Sequence, residues 1–180
     1  HLERLQKASR YFAFPFDQEV LRQKLEKECQ ACDLYQDYRL RIILSKSGEM
    51  ELSRQILTPL SPSFCKAKLC LQEADLNQSF TYFKTTHRPH LNLRKHEKIY
   101  NNTRGELLET SIGNLVLKIA GKLYTPPIRL GILPGIYRQH LLETGQLEEK
   151  VLTFADIDQA EAIYGCNAVR GLYELSLEEN

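Results

Sequence analysis

Apolar positions at a helical spacing open the chain. Leu2, Leu5, Ala8 and Tyr11 recur every three or four residues and predict a helix over 2–11, and the stripe of Val20, Leu21 and Leu25 predicts another over 17–32. Between them, Phe12-Ala13-Phe14-Pro15-Phe16 is apolar and carries a proline, which breaks the helix. The period then falls to two. Residues 38–44 alternate apolar and charged side chains, Ser47-Gly48 supplies a turn, and 50–57 reads as a second strand, so a hairpin is predicted. Residues 66–71 alternate again, and 75–83 lead toward a lysine. The second half begins with a short strand at 98–101 and the polar turn Asn102-Thr103-Arg104-Gly105. Strands at 115–119 and 122–124 flank Ala120-Gly121 as a tight hairpin. A helix is predicted from Pro134-Gly135 to Glu143, stopped by Gly145, then a strand at 148–154, a short helix at 156–161 and two strands within 162–177. Helices and strands mix without regular alternation, which predicts an α+β fold rather than a doubly wound sheet. The chain shows no internal repeat.

Composition narrows the class without choosing a function. The 180 residues are 42% apolar and 26% charged, as in an ordinary soluble protein with a real core. Lysine plus arginine, 24, nearly balance aspartate plus glutamate, 23, so no global field recruits nucleic acid or an anionic membrane. No apolar run is long enough to span a bilayer and none resembles a signal peptide, which leads us to expect a cytoplasmic protein. The five cysteines, Cys29, Cys32, Cys65, Cys70 and Cys166, are read as reduced thiols. Cys29-Gln30-Ala31-Cys32 has redox or metal spacing, but it lacks a second ligand pair and is taken as packing. His87, His90 and His96 cluster in a polar stretch without ligand spacing, so no metal is expected.

The chemistry is carried by an ordered series of motifs. They are Lys84-Thr85-Thr86-His87-Arg88, the run from Gly105 through Glu109 to Asn114, Thr125-Pro126-Pro127, Leu133-Pro134-Gly135-Ile136-Tyr137-Arg138, and Asn167-Ala168-Val169-Arg170-Gly171. In this order and spacing the chain resembles the class IV aminotransferases, the fold type IV enzymes that use pyridoxal phosphate. Within that family it is most similar to 4-amino-4-deoxychorismate lyase, particularly the lyase domain fused to para-aminobenzoate synthase. The resemblance implies a small N-terminal α/β domain over 1–75 and a larger pseudo-barrel domain over 76–180 that binds the cofactor. It also implies that about two strands preceding His1-Leu2-Glu3-Arg4-Leu5 are missing from the small domain.

Pyridoxal phosphate chemistry needs a lysine for the Schiff base, an acid at the pyridine nitrogen and donors for the phosphate. By resemblance Lys84 is the catalytic lysine, Glu109 pairs with the ring nitrogen and Asn114 supports this part of the site. Ile136 and Tyr137 open the helix that receives the phosphate, which a helix N-terminus favours. Arg4 would clamp the phosphate, and Asn167 and Ala168 would reach the phosphate from a strand end. Arg170 would suit a substrate carboxylate. Family members often carry threonine or serine where Tyr137 stands and serine where Ala168 stands, so those side-chain contacts depart from the pattern. The implied activity releases pyruvate and para-aminobenzoate from aminodeoxychorismate, in a homodimer that is fused to or acts with the synthase. Two alternatives stay open: a branched-chain or D-amino-acid aminotransferase of the same fold, and a truncated, non-catalytic domain.

Overall fold

The structure is a computed structural model that describes residues 1–72, 79–88, 91 and 96–178. Contacts divide the chain into two compact units, His1–Pro59 and Leu60–Asn180. The boundary expected at 75/76 therefore does not coincide with the division in contacts. The strand at 66–71, on the first-domain side of that expected boundary, pairs with strands of the second unit. His90 and the first part of the stretch 75–83 lie outside the described residues.

In the first unit, helices α1 (Leu2–Tyr11) and α2 (Gln18–Gln30) precede a hairpin of β1 (Tyr38–Leu44) and β2 (Met50–Ile56). The break between the helices is real: Ala13 adopts a positive φ of 54°, which ends the helical path. Asp17 then starts α2 by accepting from the N–H groups of Glu19 and Val20 at 2.8 and 3.1 Å. Leu21 is fully buried, Lys24 Nζ donates to the Met50 carbonyl at 3.0 Å, and Arg54 donates to the Glu28 carbonyl at 3.2 Å, so α2 is held on the hairpin. All five cysteines are free, and the Cys32 thiol donates to the Glu28 carbonyl one helical turn back.

The second unit is built on eight strands: β3 (Lys66–Leu71), β4 (Glu97–Asn101), β5 (Leu107–Thr110), β6 (Asn114–Ile119), β7 (Lys122–Thr125), β8 (Glu148–Glu149), β9 (Ala162–Asn167) and β10 (Gly171–Leu177). Their order is β5-β4-β3-β10-β9-β6-β7-β8, and β5 also pairs with β6. Six strands thus close into a ring, with β7 and β8 continuing from β6, which is the pseudo-barrel of a mixed α+β fold. The ring closes at the pair Glu109↔Asn114. Ala67, Ile99, Leu107, Leu115, Leu117, Tyr173 and Leu175 fill its interior, and Leu152 joins them. Outside, α4 (Ile136–Glu143) packs Leu141 against Val116, Leu147 and Cys166. The short helix α3 (Ser79–Tyr82) precedes the lysine motif, and α5 (Phe154–Asp158) precedes β9.

Two elements depart from the sequence pattern. The strand expected over 148–154 ends at Glu149, and α5 begins at Phe154 rather than 156. The Asp156 carboxylate accepts from both the N–H and the hydroxyl of Thr153, at 2.8 and 2.9 Å, and this side-chain bond turns the chain into a helix where a ladder would have continued. Strand β5 was not expected at all. All four of its residues are buried, so it lacks the alternation that marks a half-exposed strand.

β5 also carries the irregularity that matters most. Ile99 pairs with Thr110 and Asn101 with Leu107, so two steps along β4 face three along β5, a β-bulge. Leu107 faces the interior cluster and Leu108 the outer cluster of Leu91, Tyr100 and Ile132. Strict alternation would send Glu109 inward. The extra residue lets Glu109 follow Leu108 outward and returns Thr110 to the interior, where its hydroxyl lies 3.3 Å from the Tyr173 hydroxyl.

Among the described residues no helix is long and apolar enough to cross a membrane. The barrel wall yields a direct test of close packing. A Cβ at Gly165 would lie 2.3 Å from Tyr173 Cζ, whereas one at Gly121 would meet nothing within 4 Å and bear only the strain of φ +74°. Gly165→Ala is expected to lower stability by about 1–3 kcal/mol and more than Gly121→Ala, which loses about 1 kcal/mol. Urea unfolding of the two variants checks the order.

Candidate functional site

Glu109 is only 2% exposed, and each carboxylate oxygen has a named donor. Arg88 Nη2 donates to Oε1 at 3.0 Å and the Leu133 N–H donates to Oε2 at 3.3 Å. Burial pushes the carboxyl up to about 7, against the opposite pull of the Arg88 guanidinium, the Leu133 N–H and the Lys84 ammonium. Lys84 is itself exposed, in the irregular segment after α3, yet its charge reaches the buried acid. Arg88 is lowered by its own burial, an effect that the Glu109 carboxylate opposes.

Asn114 faces Glu109 across the closing pair and donates to the Leu133 carbonyl at 2.8 Å. Glu109 and Asn114 thus hold the two sides of Leu133, and with it the loop that opens α4. Gly135 is the residue before that helix, and a Cβ there would lie 2.0 Å from Asn114 Oδ1. Only a hydrogen leaves room for this approach. The first N–H groups of α4, at Ile136 and Tyr137, point beyond the helix start as they do in any α-helix, and its dipole favours an anion there. Arg138, 1% exposed, ties the same helix down by donating to the Pro126 carbonyl at 2.8 Å and pairing with Glu149.

The turn between β9 and β10 approaches this helix start. A Cβ at Gly171 would lie 3.6 Å from the Tyr137 hydroxyl. Asn167 accepts from the N–H groups of Val169 and Arg170 at 3.0 and 2.9 Å and donates to the Ile112 carbonyl at 3.3 Å. Its side chain therefore shapes its own turn and binds that turn to the β5–β6 connection. Ala168 is exposed and Arg170 half-buried on the turn, while Arg4 stands half-buried on α1 of the first unit. Links through Leu133, Ile112 and Gly171 thus bring together Glu109, Asn114, the start of α4 and the 167–171 turn. A cleft of about 510 Å³ lined by Pro134, Gly135, Arg138 and Glu149 borders the same loop, but Lys84, Glu109 and Asn114 do not line it. It is a neighbour of the site rather than the site.

Sequence reasoning missed the residues that support Glu109. Arg88 stands four positions after Lys84, and nothing in its local sequence marks it as the partner of Glu109. Glu97, fully buried, accepts from the Ser111 N–H at 2.6 Å, from the Lys98 N–H at 3.2 Å and from the Tyr173 hydroxyl at 3.3 Å, and so holds the β5–β6 turn from inside the barrel. Burial raises its carboxyl, and likewise the Tyr173 phenol. No local pattern announces such a network, because its members lie on two different strands and a turn far apart in the chain.

The family model for amino-transferase class IV matches residues 1–176. The chain belongs to the class IV aminotransferase family. Among solved structures it is similar to a candidate amino-acid aminotransferase of Mesorhizobium loti, 27% identical with a TM-score of 0.82, covering 99% of this chain and 90% of that one. It is also similar to a candidate 4-amino-4-deoxychorismate lyase of Legionella pneumophila, 22% identical with a TM-score of 0.74, covering all of this chain and 76% of that one. An uncharacterized protein of Haemophilus influenzae is 37% identical over 68 residues, which are 38% of this chain and 35% of that protein, so the match spans about a third of the relative.

The cofactor of the class IV aminotransferase family is pyridoxal phosphate. The donor set fits it: an amine at Lys84, a buried carboxylate whose charge that amine feels, and a helix start approached past a glycine that a Cβ would block. Among the described residues no cluster of His, Cys, Asp and Glu is arranged to hold a metal ion.

The Glu109 carboxyl binds its proton more tightly in the folded chain than at its ordinary value of 4.5, so its contribution to stability is greatest at low pH and is lost as pH rises toward about 7. The loss is of the order of 3 kcal/mol when complete. Glu109→Gln has no such proton. Without cofactor, the variant is expected to gain stability relative to the original chain as pH rises through that window, which paired urea titrations measure.

Proposed function

We propose that this chain acts as a pyridoxal-phosphate-dependent 4-amino-4-deoxychorismate lyase, releasing pyruvate and para-aminobenzoate. The observation that carries the reading is the buried Glu109 carboxylate, which feels the charge of Lys84 and is tied through Leu133 to the start of α4. The motifs Lys84-Thr85-Thr86 and Asn167-Ala168-Val169-Arg170-Gly171 support the lyase branch.

When bound, pyridoxal phosphate supplies an electron sink for negative charge developing at the substrate α-carbon. Lys84 Nζ anchors the cofactor and, once released, takes the α-proton as general base. Glu109 holds a proton at the ring nitrogen. The Ile136 and Tyr137 N–H groups receive the phosphate, oriented by the Asn114–Leu133 hydrogen bond behind them. Asn167 keeps the 167–171 turn in place, and Arg170 is assigned to a substrate carboxylate. Departure of the enolpyruvyl group restores an aromatic ring, so the elimination asks mainly for positioning.

The similarity to an amino-acid aminotransferase at 27% identity favours a second reading, amino-group exchange with a keto acid on the same residues. Pyruvate release from aminodeoxychorismate is expected without an added keto acid, and exchange as the dominant activity would replace the lyase reading. Lys84→Ala is expected to abolish the visible band formed with pyridoxal phosphate and to lower turnover about 10³-fold or more. Borohydride reduction followed by peptide mapping should place the label on Lys84. No band and no label would overturn the enzyme reading.

A further inference from the structure

We propose that Arg88 is a positioning and charge-tuning residue for Glu109, so that the carboxylate meets the ring nitrogen of bound pyridoxal phosphate in a fixed direction and with reduced negative charge. This rests on the function proposed above. Arg88 Nη2 lies 3.0 Å from Glu109 Oε1, with the two side chains 15% and 3% exposed. Water therefore screens the pair poorly. The Leu133 N–H holds the other oxygen, so the carboxylate plane is set from two sides. The contact runs through one guanidinium nitrogen, and Arg88 Nε is buried without a hydrogen-bond partner among the described residues. A guanidinium placed for a full fork-to-fork ion pair would engage both oxygens. This one leaves Oε2 to the loop that opens α4.

Lys84 acts on Glu109 from the segment after α3, Tyr100 acts on Arg88 from β4, and Asn114 across the barrel seam is neutral. Burial makes Glu109 more basic, and Arg88 is the largest opposing influence. A carboxylate stabilises a proton on a facing nitrogen in proportion to the negative charge it presents, and a guanidinium at contact distance withdraws part of that charge. Arg88 therefore moderates the electron sink. An elimination that is driven by aromatisation of its own product tolerates a moderate sink, whereas reversible amino exchange relies on a strong one. The geometry thus favours substrates that become aromatic on losing their side chain.

The test compares Arg88→Gln and Arg88→Lys with the original chain. In protein carrying ¹³C-labelled glutamate and no cofactor, the Glu109 resonance, identified by its absence in Glu109→Gln, reports titration of the carboxyl. Arg88→Gln is expected to move its midpoint upward by about one unit or more, and Arg88→Lys to restore most of the difference. With ¹⁵N-labelled pyridoxal phosphate, the ring nitrogen is expected to be more fully protonated in Arg88→Gln than in the original chain, with Arg88→Lys in between. An unchanged midpoint, or the same nitrogen shift in all three proteins, would overturn the tuning role. If the original chain took up no cofactor while the carboxyl titration still responded, the functional reading would fall and the tuning role with it, leaving only the ion pair.

Discussion

Between Ile99 and Asn101 β4 takes two steps while β5 takes three between Leu107 and Thr110, and the seam of the barrel is built on that mismatch. The extra residue reverses the facing of the strand for its last two positions. Thr110 turns into the barrel toward Tyr173, and Glu109 turns out toward Arg88 and Leu133. One residue later the chain must turn and pair back, because Glu109 itself forms the closing pair with Asn114. A buried acid placed at the closure of a ring is hard to displace, since any shift there would break pairing on both sides. Bulges elsewhere serve the same purpose of re-aiming a side chain, and here the cost is one unpaired ladder position.

The two buried glutamates show how differently an acid can be accommodated. Glu97 receives two backbone N–H groups and a tyrosine hydroxyl inside the barrel, an arrangement that fixes the β5–β6 turn. Among the described residues it forms no ion pair. Glu109 receives a guanidinium and the Leu133 N–H, and lies within the field of Lys84. Hydrogen bonds from neutral donors hold a turn in place. A cation at contact distance also sets how basic the carboxylate is, which is the property a proton-holding acid must have controlled.

Leu133 connects the acid to the opposite end of the site. Its N–H goes to Glu109 and its carbonyl to Asn114, two residues that pair across the seam, so the loop before α4 takes its position from the barrel closure. Arg138 fixes the helix from behind through Pro126 and Glu149, and Leu141 packs it on the outer wall. Asn167 ties the last turn to Ile112 in the same connection. Glu109, the helix start and the 167–171 turn are therefore parts of one hydrogen-bonded assembly, all referred to strands β5 and β6.

By itself the sequence determined what depends on neighbours along the chain. The helix at 2–11, the hairpin of β1 and β2, the Ala120-Gly121 turn and the stop at Gly145 follow from periodicity and turn chemistry, which act over a few residues. The motifs around Lys84, Glu109, Leu133 and Asn167 were legible as a family pattern, and the family model over residues 1–176 agrees with it. Strand β5 was illegible because burial on both faces erases alternation, and the 148–154 strand was misread because the Thr153–Asp156 bonds override a local strand pattern. Only the tertiary structure decided that Glu109 faces outward, that Arg88 is its partner 21 positions earlier, and that Glu97 and Tyr173 brace the turn from within. Those relations depend on register across a closed barrel. A one-residue mismatch there changes which face a side chain occupies and leaves no trace in hydrophobic pattern.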